Sequence, residues 1–463
     1  ATYRLQFHAG FGFAAAREVV DYLADLGGAW IYASPLLAAR PGSAHGYDGI
    51  DPNRLNPELG TEAAFTDLTC RLAERGTGLL LDLVPNHMAF CGQAPLLADL
   101  FENGVHSARR RFFDVDWDHP ASTLHGRLAA PLLGDPLSAC LGRGEIRLAL
   151  RGGTLGATYY EHFFPLRLAS YAILDPLREG APGALPPESG FAWTDALRTL
   201  AAGAGEPPSV QRDDRVRRAK ATLRRLHEED PALRGFVEVR LAAFDSDRGG
   251  RQAVEALERI LGEQVFCLRH WRSAGREINY RRFFDINELI CLRQEAAAVF
   301  DHTHRLVRRL VDEGRIQGLR IDHVDGLRHP GAYLRRLREA CGDIYITAEK
   351  ILAPDEDLPL DWPVEGTTGY EFADRASRLA CRPDPRDRLG AIYRDFTGRS
   401  QTWAGVCRLA RRQVLADSFG GDLNNLVRAL RAAIDPGAPD PEALAAAVTE
   451  LLTRFPVYRT YAG

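Results

Sequence analysis

The stretch GLRIDHVDGL, residues 318–327, decides the fold: its opening residues 318–324 read as a short buried strand that carries Arg320 and Asp322 two positions apart. Residues two apart on a strand point to the same side, so a guanidinium and a carboxylate share one face. Working outward, a helix is expected over 288–313, closed by Gly314. Downstream, a helical pattern over 332–340 closes at Gly342, and a second apolar run over 344–350 ends in Glu349. The first ninety residues keep the same rhythm. A strand over 3–7 precedes a helix over 15–26, with Val19, Val20, Leu23 and Leu26 at helical spacing and Gly27-Gly28 as its stop. A strand over 30–37, a helix over 62–75 with Phe65, Leu68 and Leu72 on one face, and the apolar run 78–84 (GLLLDLV) follow. Continuous apolar strands alternating with amphipathic helices imply an α/β fold with a parallel sheet buried on both faces. A sixth strand is expected near 368–372.

Between about 90 and 287 this rhythm is lost. Pro/Gly-rich stretches at 176–190 and 202–208 and a long Arg/Ala/Leu-rich helical pattern over 212–262 read as a large, mainly helical insertion. The chain is thereby expected to divide into a first sheet part (1–89), the insertion (90–287), a continuation of the sheet (288–375) and a helical segment (376–463) broken by prolines at 383–385 and 436–441. With 463 residues, 45% of them hydrophobic, there is enough material for a large core and more than one lobe. The 58 Lys+Arg and 62 Asp+Glu leave a net charge of −4 spread along the chain, which argues against nucleic acid or an anionic membrane as partner. No apolar run approaches the length of a membrane-spanning helix, and the first residues have neither a basic nor an apolar leader segment, so a soluble, cytoplasmic protein is expected. Ala stands at position 1, the expectation being a processed chain or a fragment. The eight cysteines stand apart from one another and from His clusters, which predicts small buried side chains and no metal site or disulfide framework.

The chemistry-bearing residues gather at predicted strand ends. Arg320 beside Asp322 is expected to keep that carboxylate ionised, as a nucleophile requires, although a structural ion pair would look the same. Glu349 closes an apolar run, where burial would favour the protonated, acid form; a surface Glu opening a loop is the alternative. Asp82-Leu83-Val84-Pro85-Asn86-His87 puts one acid in the third strand and a His at its mouth, and His45-Gly46-Tyr47-Asp48 sets a Tyr face next to a carboxylate, which suits a sugar ring. A satisfied loop His and a turn with an Asp cap explain these two segments equally well one at a time. Two acids at the ends of adjacent parallel strands, however, match the paired carboxylates of glycoside chemistry.

DLVPNH (82–87), GLRIDHVDGL (318–327) and AEKIL (348–352) resemble the α-amylase-type glycosidase family. More narrowly, TYRLQF (2–7), ARPGSAHGYDGIDPNRLNPELG (39–60), RRFFDINELI (281–290), WPVEGTTGYEF (362–372) and RFPVYRTY (454–461) resemble the maltooligosyltrehalose synthase family. The resemblance implies a (β/α)8 TIM-barrel type fold with a large insertion after the third strand. It implies an intramolecular transfer that turns the reducing-end α-1,4 bond of a maltooligosaccharide into an α,α-1,1 bond, without metal or organic cofactor. It implies Asp322 as nucleophile and Glu349 as general acid/base, with Arg320, Asp82, His45, Tyr47, Asp48, His87, His323 and Tyr370 around the sugar. A functional link to a maltooligosyltrehalose trehalohydrolase follows from the same likeness. The family pattern also contains a third acid, an Asp preceded by His after the seventh strand. None of the thirteen histidines here is followed by Asp. The expectation is a barrel incomplete at its C-terminal end, with about six of eight strands, belonging to a truncated piece or a natural short relative. A plain α-glucan hydrolase and a non-catalytic α-glucan-binding protein remain alternative readings.

Overall fold

The computed structural model describes residues 1–177, 187–353, 356–381, 386–434, 437 and 439–461. The prolines at 383–385 and most of the Pro/Gly-rich stretch 176–190 lie outside the described residues. The chain forms two compact units, one of residues 1–88, 274–277 and 292–463, the other of residues 89–273 and 278–291.

The first unit is built on a parallel sheet whose six strands lie side by side in chain order: β1 (Thr2–Leu5), β2 (Trp30–Ala33), β3 (Gly78–Leu83), β4 (Gly318–Ile321), β5 (Tyr345–Ala348) and β6 (Gly366–Thr367). Alternation divides each strand between two faces. Ile31, Ala33, Leu79, Leu81, Leu83, Leu319, Ile321, Ile346 and Ala348 face the helices and are all buried in one core. The helices complete that core: α1 (Phe13–Asp25), α2 (Glu62–Glu74), α3 (Ala297–Thr303), α4 (Arg305–Asp312) and α5 (Pro330–Cys341). Phe13 of α1 meets Phe65 of α2 edge to face at 5.2 Å. On the other face, register pairs Arg4 with Tyr32 at the level of Leu80, and Asp82 with Arg320 and Thr347 two residues further along, so polar residues occupy two neighbouring levels of this face. Gly318 is required here, because a Cβ would come within 2.9 Å of the Leu80 side chain and the Tyr345 carbonyl. Helices α6 (Tyr370–Leu379), α7 (Arg386–Thr397), α8 (Trp403–Asp417), α9 (Gly420–Ile434) and α10 (Pro441–Arg454) follow the sheet.

The second unit is mixed. Among its described residues are an antiparallel sheet (Ile146–Arg151, Thr154–Tyr159, His162–Pro165), a parallel pair (Leu128–Leu133 with Phe266–His270) and six α-helices (Pro95–Asn103, Leu137–Gly142, Pro187–Ala204, Val210–Glu229, Pro231–Ala242, Ser246–Gly262). Phe101, Phe164 and Phe266 pack at its centre with ring separations of 5.2–6.4 Å.

Several expectations need correction. The helix expected over 288–313 is a strand, Ile286–Cys291, followed by α3 and α4; pairing of that strand with Arg282–Phe283 overrides local helical preference. The pattern over 212–262 is three helices, interrupted where Asp230 caps the helix starting at Pro231 and again before Ser246. The sixth strand lies at Gly366–Thr367, since Gly369 turns with φ +88° and Tyr370 already begins α6. Four of the eight cysteines are buried, whereas Cys70 and Cys381 are exposed.

Candidate active site

The C-terminal ends of β3, β4 and β5 converge on one guanidinium. Arg320 projects from β4 and is buried, and its Nη1 donates to Asp82 Oδ1 at 2.7 Å and to Asp322 Oδ1 at 2.6 Å. Its Nη2 lies 2.8 Å from Glu349 Oε1. Asp322 and Glu349 thus share a single planar guanidinium, one on each of its terminal nitrogens.

Asp82 is the anchor. Tyr32 and Tyr47 both donate their hydroxyls to its Oδ2, at 2.8 and 2.6 Å, and Arg4 stands 3.6 Å away. Burial and the neighbouring Asp82 charge raise the Tyr47 hydroxyl to about 12 and Tyr32 further still, so both remain donors. Arg4 in turn donates to Tyr47 at 3.2 Å and covers the face of Tyr32. Arg4 and Tyr32 were not among the expected site residues. They lie at matched positions of β1 and β2, and the signal available was that polar, inward-facing register and nothing in their local motif.

Glu349 receives a second hydrogen bond, 2.7 Å from the backbone N–H of His323. That amide is aimed by an unusual turn. His323 has φ +46°, left-handed for a residue with a side chain, and a single 3₁₀ turn over Val324–Gly326 follows it. Gly326 allows the close packing: a Cβ there would lie 2.2 Å from the His323 ring and 2.8 Å from Asn86.

Arg320 acts on Asp322 in the expected direction, favouring the ionised form, but it is outweighed. Burial pushes the Asp322 carboxyl up to about 7, with the charges of Glu349 and Asp82 adding to the rise and Arg320 only opposing it. One guanidinium faces three carboxylates, so the charges of the other two make ionisation of Asp322 less favourable.

Of the other expected residues, His87 is buried beside Asn86 and lines an apolar cavity that reaches Asp82 and His304. Asp48 and His45 serve the 40–48 turn, Asp48 accepting from Ser43 and His45 Nδ1 accepting from the Tyr47 amide at 3.0 Å; neither joins the carboxylate cluster. Tyr370, half-exposed at the start of α6, has no part in the cluster's hydrogen bonds.

Parallel strands carrying an Asp and a Glu at adjacent C-terminal ends give this unit the arrangement of an α-amylase-type domain. Residues 16–101 match the family model described as "Alpha amylase, catalytic domain". The particular likeness is to maltooligosyltrehalose synthases, as the sequence motifs indicated. The chain is 31% identical over 468 aligned positions, 99% of its length, to a "Putative maltooligosyl trehalose synthase" of Mycobacterium tuberculosis, and covers 48% of that protein. It matches the solved maltooligosyltrehalose synthase of Arthrobacter ramosus with TM-score 0.72 and 30% identity, covering 100% of this chain and 48% of that one. A structure titled as a hypothetical maltooligosyl trehalose synthase of Sulfolobus tokodaii gives TM-score 0.70 and 26% identity over 100% of this chain and 49% of that one. The chain therefore spans about half the length of the relatives it matches.

Proposed function

We propose that this chain carries the chemistry of an intramolecular transglucosylase that converts the reducing-end α-1,4 bond of a maltooligosaccharide to an α,α-1,1 bond. The observation that carries the proposal is the sharing of one guanidinium by Asp322 and Glu349, on a chain similar along 99% of its length to maltooligosyltrehalose synthase. In the first step Asp322 attacks the anomeric carbon of the penultimate glucose. The C–O bond to the terminal glucose breaks, and Glu349 gives that oxygen a proton, leaving a β-glycosyl ester. The freed glucose turns in place, its anomeric hydroxyl loses a proton to Glu349, and its oxygen displaces Asp322 with a second inversion. Retention overall and a neutral carboxyl returned to Glu349 close the cycle. Arg320, Tyr32 and Tyr47 fix Asp82, and His87 joins Asp82 in shaping the sugar's site. No described helix is long and apolar enough to cross a membrane. We place the enzyme in the cytoplasm, where its product suits a maltooligosyltrehalose trehalohydrolase.

The test is incubation of the chain with maltopentaose, scoring loss of reducing ends separately from release of shorter sugars. A non-reducing product abolished by both Asp322→Asn and Glu349→Gln is expected. Reducing fragments alone would make the chain an α-glucan hydrolase, and sugar binding without any product, unchanged by Asp322→Asn, would make it a glucan-binding module.

A further inference from the structure

The sequence Arg459-Thr460-Tyr461 closes onto the turn that follows Asp322. Arg459 donates through Nη1 to the carbonyls of Asp325 and Leu327, at 2.7 and 2.6 Å, and through Nη2 to that of Arg328 at 3.2 Å. Tyr461 donates its hydroxyl to Asp325 Oδ1. The other oxygen of Asp325 lies 3.2 Å from Lys350 Nζ, which also pairs with Glu356 at 2.7 Å. Lys350 is 1% exposed, and the Asp325 side chain 8%. Arg459 and Trp362 pack against the Tyr461 ring at 4.9 and 5.4 Å. A buried ion pair and four hydrogen bonds thus hold residues 325–328 in place.

Two residues upstream, the His323 amide donates to Glu349 from a residue held left-handed, a conformation that persists only where the surroundings enforce it. We infer that Arg459, Tyr461 and Lys350 are positioning residues: by pinning Asp325 and the carbonyls after it, they hold the His323 amide on Glu349 and so fix the carboxyl that exchanges the proton. The inference rests on the acid/base role proposed above for Glu349. None of the three touches the reacting atoms.

Two measurements on Arg459→Ala test the latch separately from that role. Hydrogen exchange of a peptide spanning 321–327 is expected to accelerate by about tenfold or more, with the thermal midpoint within a few degrees of the parent. Unchanged exchange in a folded variant overturns the latch whatever the enzyme does. If Arg459→Ala does not fold, Tyr461→Phe, which deletes one hydroxyl, is read in the same way. In turnover, the variant's kcat on maltopentaose should fall about ten- to a hundredfold at nearly constant KM, a part of what a well-placed proton donor supplies. Fluoride release from α-maltosyl fluoride, with azide added as an acceptor that needs no base, should stay within about twofold of the parent, since fluoride leaves without a proton donor. Arg459→Lys should recover part of the maltopentaose rate. An equal loss on both substrates would mean that the segment only stabilises the fold and would overturn the inference. A parent chain inactive on both would refute the enzymatic reading, leaving the exchange result to decide the latch.

Discussion

Asp322 sits where desolvation and like charge outweigh its one cation, and its titration gives the sharpest predictions at the scale of single residues. With its carboxyl raised to about 7, the nucleophile we propose is ionised only as pH climbs through that value, so kcat/KM should show a low-pH limb near 7. Removing the Asp82 charge favours a second ionisation, so in Asp82→Asn the limb should move to lower pH even as the rate falls; a limb that rises or stays put contradicts this origin. The same shift has a sign in stability. A carboxyl whose folded value exceeds its unfolded value favours the fold at low pH, and that advantage disappears as pH rises from about 4 through 7. Asp322→Asn should therefore be more stable than the parent at pH 8, by roughly 1–4 kcal/mol, and lose that margin below pH 4, as urea titrations at the two values would show. His304 behaves in the opposite sense. Burial lowers it to about 4, and its ring stacks on Phe300 at 4.1 Å with Nε2 2.8 Å from the Tyr333 hydroxyl. Stability from this group is full above pH 6.5 and drains away toward pH 4, by roughly 2–3 kcal/mol, a slope that His304→Gln should remove.

At the scale of elements, the parallel strands were legible because Leu79, Leu81 and Leu83 on β3 and Leu319 and Ile321 on β4 are buried against helices on one face while β3 and β4 pack side by side. Truncating one of them in that core, for example Leu81→Ala, is expected to cost about 2–5 kcal/mol in equilibrium unfolding, with the denaturant slope unchanged. What the sequence concealed were features set by distant partners. Ile286–Cys291 looks like part of a helix until its pairing with Arg282–Phe283 is seen. The left-handed His323 leaves no mark beyond the Gly three residues later, whose missing Cβ accommodates the His323 ring. Gly326→Ala should accordingly fold but lose most activity, because the 2.2 Å overlap falls on the residue whose amide holds Glu349. Loss of folding together with activity would instead assign that glycine to the core.

For the molecule as a whole, fold class and the acidic pair could be read from motifs at strand ends, while the side chains that brace Asp82 and the turn after Asp322 could not. Asp82, Asp322, Glu349 and Arg320 were named from sequence and stand together in the structure, with Tyr47 bonded to Asp82. Arg4 and Tyr32 come from the first two strands, and Arg459 and Tyr461 from the far end of the chain, brought in by topology alone. A net charge of −4 and a neutral sugar give no long-range steering, and the ion pairs that matter are buried. Raising salt from about 0.05 to 0.5 M should then change kcat/KM by less than about twofold, where an electrostatically guided enzyme would lose far more. The central claim is that Asp322 forms the covalent bond to sugar while Glu349 handles the proton. It is tested most directly by incubating Glu349→Gln with α-maltosyl fluoride and mapping the adduct by mass spectrometry of peptides. The account predicts one maltosyl group, esterified to Asp322 and lost in Asp322→Asn; an adduct on Asp82 or elsewhere, or none from a folded protein, would contradict it.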